Sequence, residues 1–65
     1  MNQKEMEQLA GKTVSVVVKN RFATGMIIRV GKVTEVTNSI VTLEVEENHL
    51  VSFPLEDVVS AADIR

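Results

Sequence analysis

Apolar and polar side chains alternate along most of this chain with a period of two. The first such run, TVSVVVK at 13–19, places Val14, Val16 and Val18 on one face. This alternation is typical of β-strands, because successive side chains of a strand point to opposite faces. Valine and isoleucine also pack well on a pleated surface, so the 12 valines and four isoleucines predict a mainly β chain.

Four further strands are predicted from the same alternation and from the turn residues between the runs. They cover 26–37, 40–46, a run with Val51, Phe53 and Leu55 on one face, and 58–62 with an end near Ile64. Short connections predict that neighbouring strands pair antiparallel. Pro54 cannot donate to a ladder, so the fourth strand should meet a free edge or a bend there.

The second strand changes phase part of the way along. Met26, Ile28 and Val30 alternate, but Val33 and Val36 break the period, and Gly31 lies at the change. We therefore expect a glycine bulge at Gly31 that bends the strand, so that one strand serves both halves of a small barrel.

Residues 2–10 are predicted to form one short helix before the strands. Asn2 is a suitable N-cap with Glu5 three positions later, and an apolar stripe begins at Met6. Gly11 follows where a residue with positive φ commonly ends a helix. So short a helix needs an apolar support, such as the barrel rim or a neighbouring subunit.

These elements predict one mainly β domain over residues 1–65, with helix 2–10 and barrel 13–64. Five bent antiparallel strands would close into a small barrel behind the helix. An open five-stranded sheet is the alternative, although its free edges would favour aggregation in a chain so rich in valine.

The small size of the chain bears on its stability and partners. With 65 residues and no cysteine, it cannot use disulfides or thiolate metal sites, and His49 is the single histidine. Such small domains usually need additional support, so we expect a homo-oligomer. No metal and no cofactor are predicted. The start of the chain shows no secretion signal and no membrane span, and the absence of cysteine fits a cytoplasmic protein.

Charge is unevenly divided between the two halves of the chain. Residues 1–32 carry a net charge of +4 and residues 33–65 a net charge of −6. This division could mark a nucleic-acid face, a contact between unlike halves of two subunits, or a solvated surface. The candidate ligand-binding residues lie in and after the first turn: Lys19, Arg21, Phe22, Arg29 and Lys32.

Each of these candidates has a simpler structural interpretation. Arg21 and Arg29 would form one patch for a phosphate or carboxylate if the hairpin turns near Phe22, but the cations could equally pair with Glu35 or Glu44. Phe22 could stack on a base, although the interpretation we favour is packing at the rim against the N-terminal helix.

At the level of motifs the sequence resembles the Sm-like family, whose members are small SH3-type barrels. The resemblance is carried by Leu9, Gly11, Lys12, Val14, Val16, Val18, the turn KNR and Gly25, and by a degenerate second motif, VVSAADI at 58–64. It implies a barrel fold and a tendency to form rings. It does not imply an RNA site, because Thr37 and Val41 stand at the base-binding positions and Ala61 and Ala62 replace the Arg-Gly pair.

The sequence holds no pattern that assembles a nucleophile, a base and an oxyanion hole, so we predict a non-enzymatic protein. The leading hypothesis is a homo-oligomeric Sm-like binding module that pairs through edge strands and takes RNA or a small nucleotide at the basic turn. The alternative is a small structural or adaptor protein, such as a phage or prophage assembly or anti-defence factor. A subunit or regulator of an enzyme is a third hypothesis.

Overall fold

A computed structural model describes residues 1–64 of the chain. The described elements are, in order, α1 (Gln3–Glu7), β1 (Thr13–Lys19), β2 (Met26–Val36), β3 (Ile40–Glu46), β4 (His49–Pro54), a 3₁₀ helix (Leu55–Asp57) and β5 (Val58–Asp63). The prediction of a short helix followed by five antiparallel strands is confirmed.

The five strands form one antiparallel sheet in the order β4-β3-β2-β1-β5. β4 and β5 are its two edges and do not pair with each other, so the expected closure of the barrel is not found. The sheet bends around a single core instead, to which α1, four strands and the 3₁₀ helix contribute. The buried core consists of Met6, Val14, Val16, Val18, Val33, Val41, Leu43, Leu55 and Val58.

β2 belongs to both halves of this bent sheet. Its first part, from Met26 to Lys32, pairs with β1, and its second part, from Lys32 to Val36, pairs with β3. The register shifts between Val33 and Glu35 rather than at the glycine, so the predicted position of the bulge was wrong by a few residues.

Gly31 has a different role, at the point where the two halves of the sheet diverge. It is buried, and a Cβ atom on it would lie 2.8 Å from the main-chain oxygen of Glu44. The glycine is therefore needed because β3 passes close to it. The change in the alternation of β2 comes instead from the extra residue between Val33 and Glu35.

Three alternating apolar residues in the first part of β2 face away from the core. Met26, Ile28 and Val30 lie opposite Lys19, Val17 and Ser15 of β1, and directly opposite residues share a face. Their exposed fractions are 61%, 63% and 49%. Alternation thus identified the residues that share a face, and the structure shows that this face is the outer one.

The helix has the predicted N-terminus but is shorter than expected. Asn2 and Glu5 form a capping box, with Glu5 N–H donating to Asn2 Oδ1 over 2.8 Å. After Glu7 the chain continues in turns as far as Gly11, which has φ of +80° and donates its N–H to the carbonyl of Val33 over 2.8 Å. Met6, fully buried, attaches this segment to the core.

The last part of the chain departs from simple alternation at Pro54. The proline ends β4 on an edge of the sheet, as its missing N–H requires. Leu55 does not extend β4, because it is buried in the 3₁₀ helix that leads to β5. Simple alternation along β3 would direct Thr42 to solvent, on the face opposite Val41 and Leu43, but Thr42 is buried and its hydroxyl lies 2.8 Å from the hydroxyl of Ser52.

Candidate binding groove at the β1–β2 loop

The loop at 20–25 is built by short polar contacts that direct Phe22 outward. The last pair of the hairpin is Lys19 with Met26, and Asn20 N–H donates to the carbonyl of Gly25 over 3.4 Å. Asn20 Oδ1 also accepts the N–H of Phe22 over 3.0 Å, which is an Asx turn. Gly25 has φ of +106°, a conformation that favours glycine.

Phe22 lies at the tip of this loop with 98% of its surface exposed. The favoured expectation, that it packs against the N-terminal helix, was wrong. The helical segment is attached near Val33, where Gly11 and Lys12 bond to the main chain. At its other end the Met1 ammonium donates to the carbonyl of Val58 over 2.8 Å, so the segment is held against the core and leaves the Phe22 ring in solvent.

Arg21 is held by two carboxylates of the 3₁₀ helix. Its Nε donates to Asp57 Oδ2, and its Nη2 lies 2.9 Å from Glu56 Oε1. The side chain of Asp57 is 12% exposed, whereas that of Glu56 is 79% exposed. The hydrogen bond to Asp57, followed by the charge of Asp57, raises the pKa of Arg21 above its ordinary value.

These contacts reduce the positive charge that Arg21 can offer to an anion. A phosphate that took the guanidinium from Asp57 would leave a largely buried carboxylate without its partner, which is costly. Arg21 therefore acts first as a structural link between the β1–β2 loop and the 3₁₀ helix, whose ends lead to the edge strands β4 and β5.

A groove of about 290 Å³ lies beside Phe22 and Arg21. Its apolar lining comes from three parts of the fold: Val18, Ile27, Phe53 and Pro54. Lys19, Asn20 and Asp57 supply the polar part of the rim. An apolar groove with a few polar groups at its margin suits a flat apolar or aromatic group better than a bare anion.

The five candidate residues from the sequence do not form one site. Lys19, Arg21 and Phe22 lie around the groove. Arg29 is opposite Val16 on β1 and lines a separate cleft with His49 and Val51.

Lys32 lies at the far end of the β1–β2 pairing, opposite Thr13 on β1 and Glu44 on β3. No ion pair forms at Lys19, Arg29 or Lys32 within residues 1–64, and the suggested pairing with Glu35 or Glu44 is not found there.

Sequence reasoning missed the residues that complete the groove. Phe53, which alternation places on one face with Val51, packs against the core but is only partly buried and also lines the groove. Glu56 and Asp57 gave one usable signal, since two adjacent acids two and three positions after Pro54 mark a turn that a nearby cation can cap. Their partner could not be identified, because Arg21 is 35 and 36 residues away in the chain.

Two kinds of feature are absent from the part of the chain that the structure describes. No group of three or more histidine and acidic residues is placed to hold a metal ion. The described α-helix, α1, has five residues, and no helix in residues 1–64 is long and apolar enough to cross a membrane.

Comparison with known proteins assigns no family to this fold. No protein-family model matches the sequence, and neither the curated proteins nor the solved structures gave a significant match.

Proposed function

We propose that the protein is a non-enzymatic, β-barrel-like binding module that associates with copies of itself through the edges of β4 and β5. The observation that carries the proposal is the open ladder. β4 and β5 end the sheet on opposite sides, and neither pairs with the other. Each edge strand presents main-chain donors and acceptors that a second strand can satisfy.

Apolar side chains on the two edge strands support the same contact. Leu50 on β4 and Val59 on β5 are both exposed, as is Ile64 just after β5. A chain of 65 residues has a small core, and burial of these side chains between copies would add to its stability. Pairing of β4 with β5 of the next copy is head-to-tail, and such contacts close into rings when the rotation allows.

Sm-like membership is part of this proposal, because a short helix followed by a bent five-stranded antiparallel sheet is the arrangement that the resemblance implies. The proposal also places the protein in the cytoplasm, since a chain without cysteine has no need of an oxidising compartment.

The edge contact can be tested by native mass spectrometry of the wild type and of the double variant Leu50→Lys, Val59→Lys. Lysine on an edge strand hinders the addition of another strand. We expect the wild type to form a defined oligomer and the variant to shift towards the 7.2 kDa monomer.

Val30→Lys is the matched control for the edge variants. It removes an exposed valine from the outer face of β2, away from both edges, and should leave the oligomer intact. A wild-type protein that stays monomeric at micromolar concentration would contradict the proposal.

RNA or a small nucleotide is a second candidate ligand, favoured by one observation. Phe22 is fully available for stacking and lies beside Lys19, which has no ion pair within residues 1–64. The pairing of Arg21 with two acids weakens this candidate. Titration of labelled single-stranded RNA at two salt concentrations tests it, because contacts with phosphates weaken steeply as salt rises.

An adaptor that acts only through protein contacts, of the phage or prophage type, is the alternative. It predicts no RNA binding at either salt concentration together with a stable complex with another protein.

A further inference from the structure

The exposed ring of Phe22 and the apolar groove beside it are complementary in chemistry, but within one copy of the chain the ring does not fill the groove. The ring is 98% exposed at the tip of its loop, while the groove at the base of the loop is open and lined mainly by apolar side chains. We propose that two copies pair around a twofold axis, with Phe22 of each copy inserted into the groove of the other.

The groove has the size and the lining that a phenyl ring requires. A cavity of about 150 Å³ is enough to hold benzene, and this groove measures about 290 Å³. Its walls include Phe53 and Pro54, and the Phe22 ring of the receiving copy lies at its margin. An incoming ring would therefore contact two aromatic rings, and such pairs add to the gain from buried area.

The charges around the groove favour a second copy as the occupant. Lys19 is exposed and has no ion pair within residues 1–64. Glu56 lines the adjoining cleft, which shares Arg21 and Pro54 with the groove, and its side chain is 79% exposed although Oε1 bonds to Arg21. In a twofold contact the same surface of both copies is used, so every contact occurs two times. Lys19 of each copy can then face an acidic side chain of the other copy. Arg21 connects the two sites, because it lines the groove and bonds to Glu56.

The area involved predicts weak, concentration-dependent pairing. A buried phenylalanine removes roughly 150–250 Å² from water, and two rings with the groove surfaces they cover would bury on the order of 600–1,000 Å². Stable dimers usually bury about 1,200–2,000 Å². We therefore expect pairing through this contact alone to require a high protein concentration.

This pairing goes beyond the proposed association of edge strands and does not depend on it. The β1–β2 loop and the groove involve neither β5 nor the free edge of β4, although Phe53 and Pro54 come from β4. If both contacts form, a ring and a twofold axis together generate a double ring.

A tryptophan at position 22 provides a direct test, because the chain contains no tryptophan or tyrosine. Emission of Phe22→Trp should shift to the blue as the concentration rises from micromolar to millimolar, since the indole leaves water. Val30→Trp is the control, being exposed on the outer face of β2 away from the groove, and its emission should not change.

A charge exchange tests the partner surface separately. Lys19→Glu in the Phe22→Trp background should weaken pairing by several-fold, because acids would then face each other. The combination of Lys19→Glu with Glu56→Lys should restore it. A shift that is insensitive to both changes would overturn the twofold arrangement.

The same reporter separates this inference from the edge proposal. With Leu50→Lys and Val59→Lys added, the blue shift should persist. If native mass spectrometry shows oligomers while the tryptophan stays exposed at all concentrations, the Phe22 contact is refuted and the edge proposal stands. A shift that appears only when single-stranded RNA is added would also refute it and would favour the nucleic-acid ligand.

Discussion

The main-chain oxygen of Glu44 lies 2.8 Å from the position that a Cβ atom on Gly31 would occupy. This crossing is the point at which β2 leaves its pairing with β1 and enters its pairing with β3. The bend of the sheet around its core therefore depends on one residue without a side chain.

We expect Gly31→Asn to destabilise the fold by at least about 1–3 kcal/mol, the usual cost of overpacking a buried site. Gly11→Asn is the matched control. Gly11 has φ of +80°, a Cβ atom added there would meet no other atom within 4 Å, and asparagine tolerates this backbone conformation. Urea unfolding should show a cost below about 1 kcal/mol for the control. Equal losses at the two positions would contradict the role given to the crossing.

Two methionines with opposite environments test how the helical segment is attached. Met6 is fully buried and Met26 is 61% exposed. Met6→Ala should reduce the free energy of unfolding by about 2–5 kcal/mol, because it removes a buried side chain and leaves a cavity. Met26→Ala should change it by less than about 0.5 kcal/mol. Chemical denaturation of both variants gives the comparison, and a small effect of Met6→Ala would mean that the segment is not anchored as described.

The two acids that bind Arg21 should differ in their contribution to stability. Asp57 is largely buried, so Asp57→Ala removes the main partner of the loop and should cost about 1–3 kcal/mol. Glu56 is mostly exposed, and Glu56→Gln should cost less than about 1 kcal/mol. Thermal unfolding of the two variants checks the order, and a larger loss at Glu56 would reverse the assignment.

Because the pKa of Arg21 is raised above its ordinary value, we expect its contribution to stability to be independent of pH near neutrality. A cation with a higher pKa in the folded chain stabilises the fold at every pH below its unfolded pKa, and this stability is lost only as pH rises through the folded pKa. For arginine both values lie above ordinary alkaline conditions. The stability difference between wild type and Arg21→Gln should thus stay constant from about pH 6 to about pH 9.

Urea unfolding across this pH range measures that difference. A steady decline with rising pH would show that a group other than Arg21 controls it.

Much of the fold was predictable because it depends on local pattern. The bounds of β1 and β3 agree with the alternation of apolar residues, and the capping box was visible as Asn2 and Glu5. The composition of the groove at the β1–β2 loop was less predictable. Lys19, Arg21 and Phe22 were identified as neighbours of the loop, but Phe53 and Asp57 reach it from more than 30 residues away, and no local pattern reports such a contact.

The sequence alone determined which residues of β1 share a strand face, where the chain turns, and that the protein is mainly β, since these properties follow from period, propensity and turn chemistry. Only the tertiary structure decided which face of β2 is buried, that β4 and β5 remain unpaired, and that Arg21 is bound while Phe22 is exposed. The reason is physical. Alternation along a strand does not show which of its two faces is buried, because that depends on the part of the chain that covers one side. An ion pair likewise requires a partner that only folding brings near.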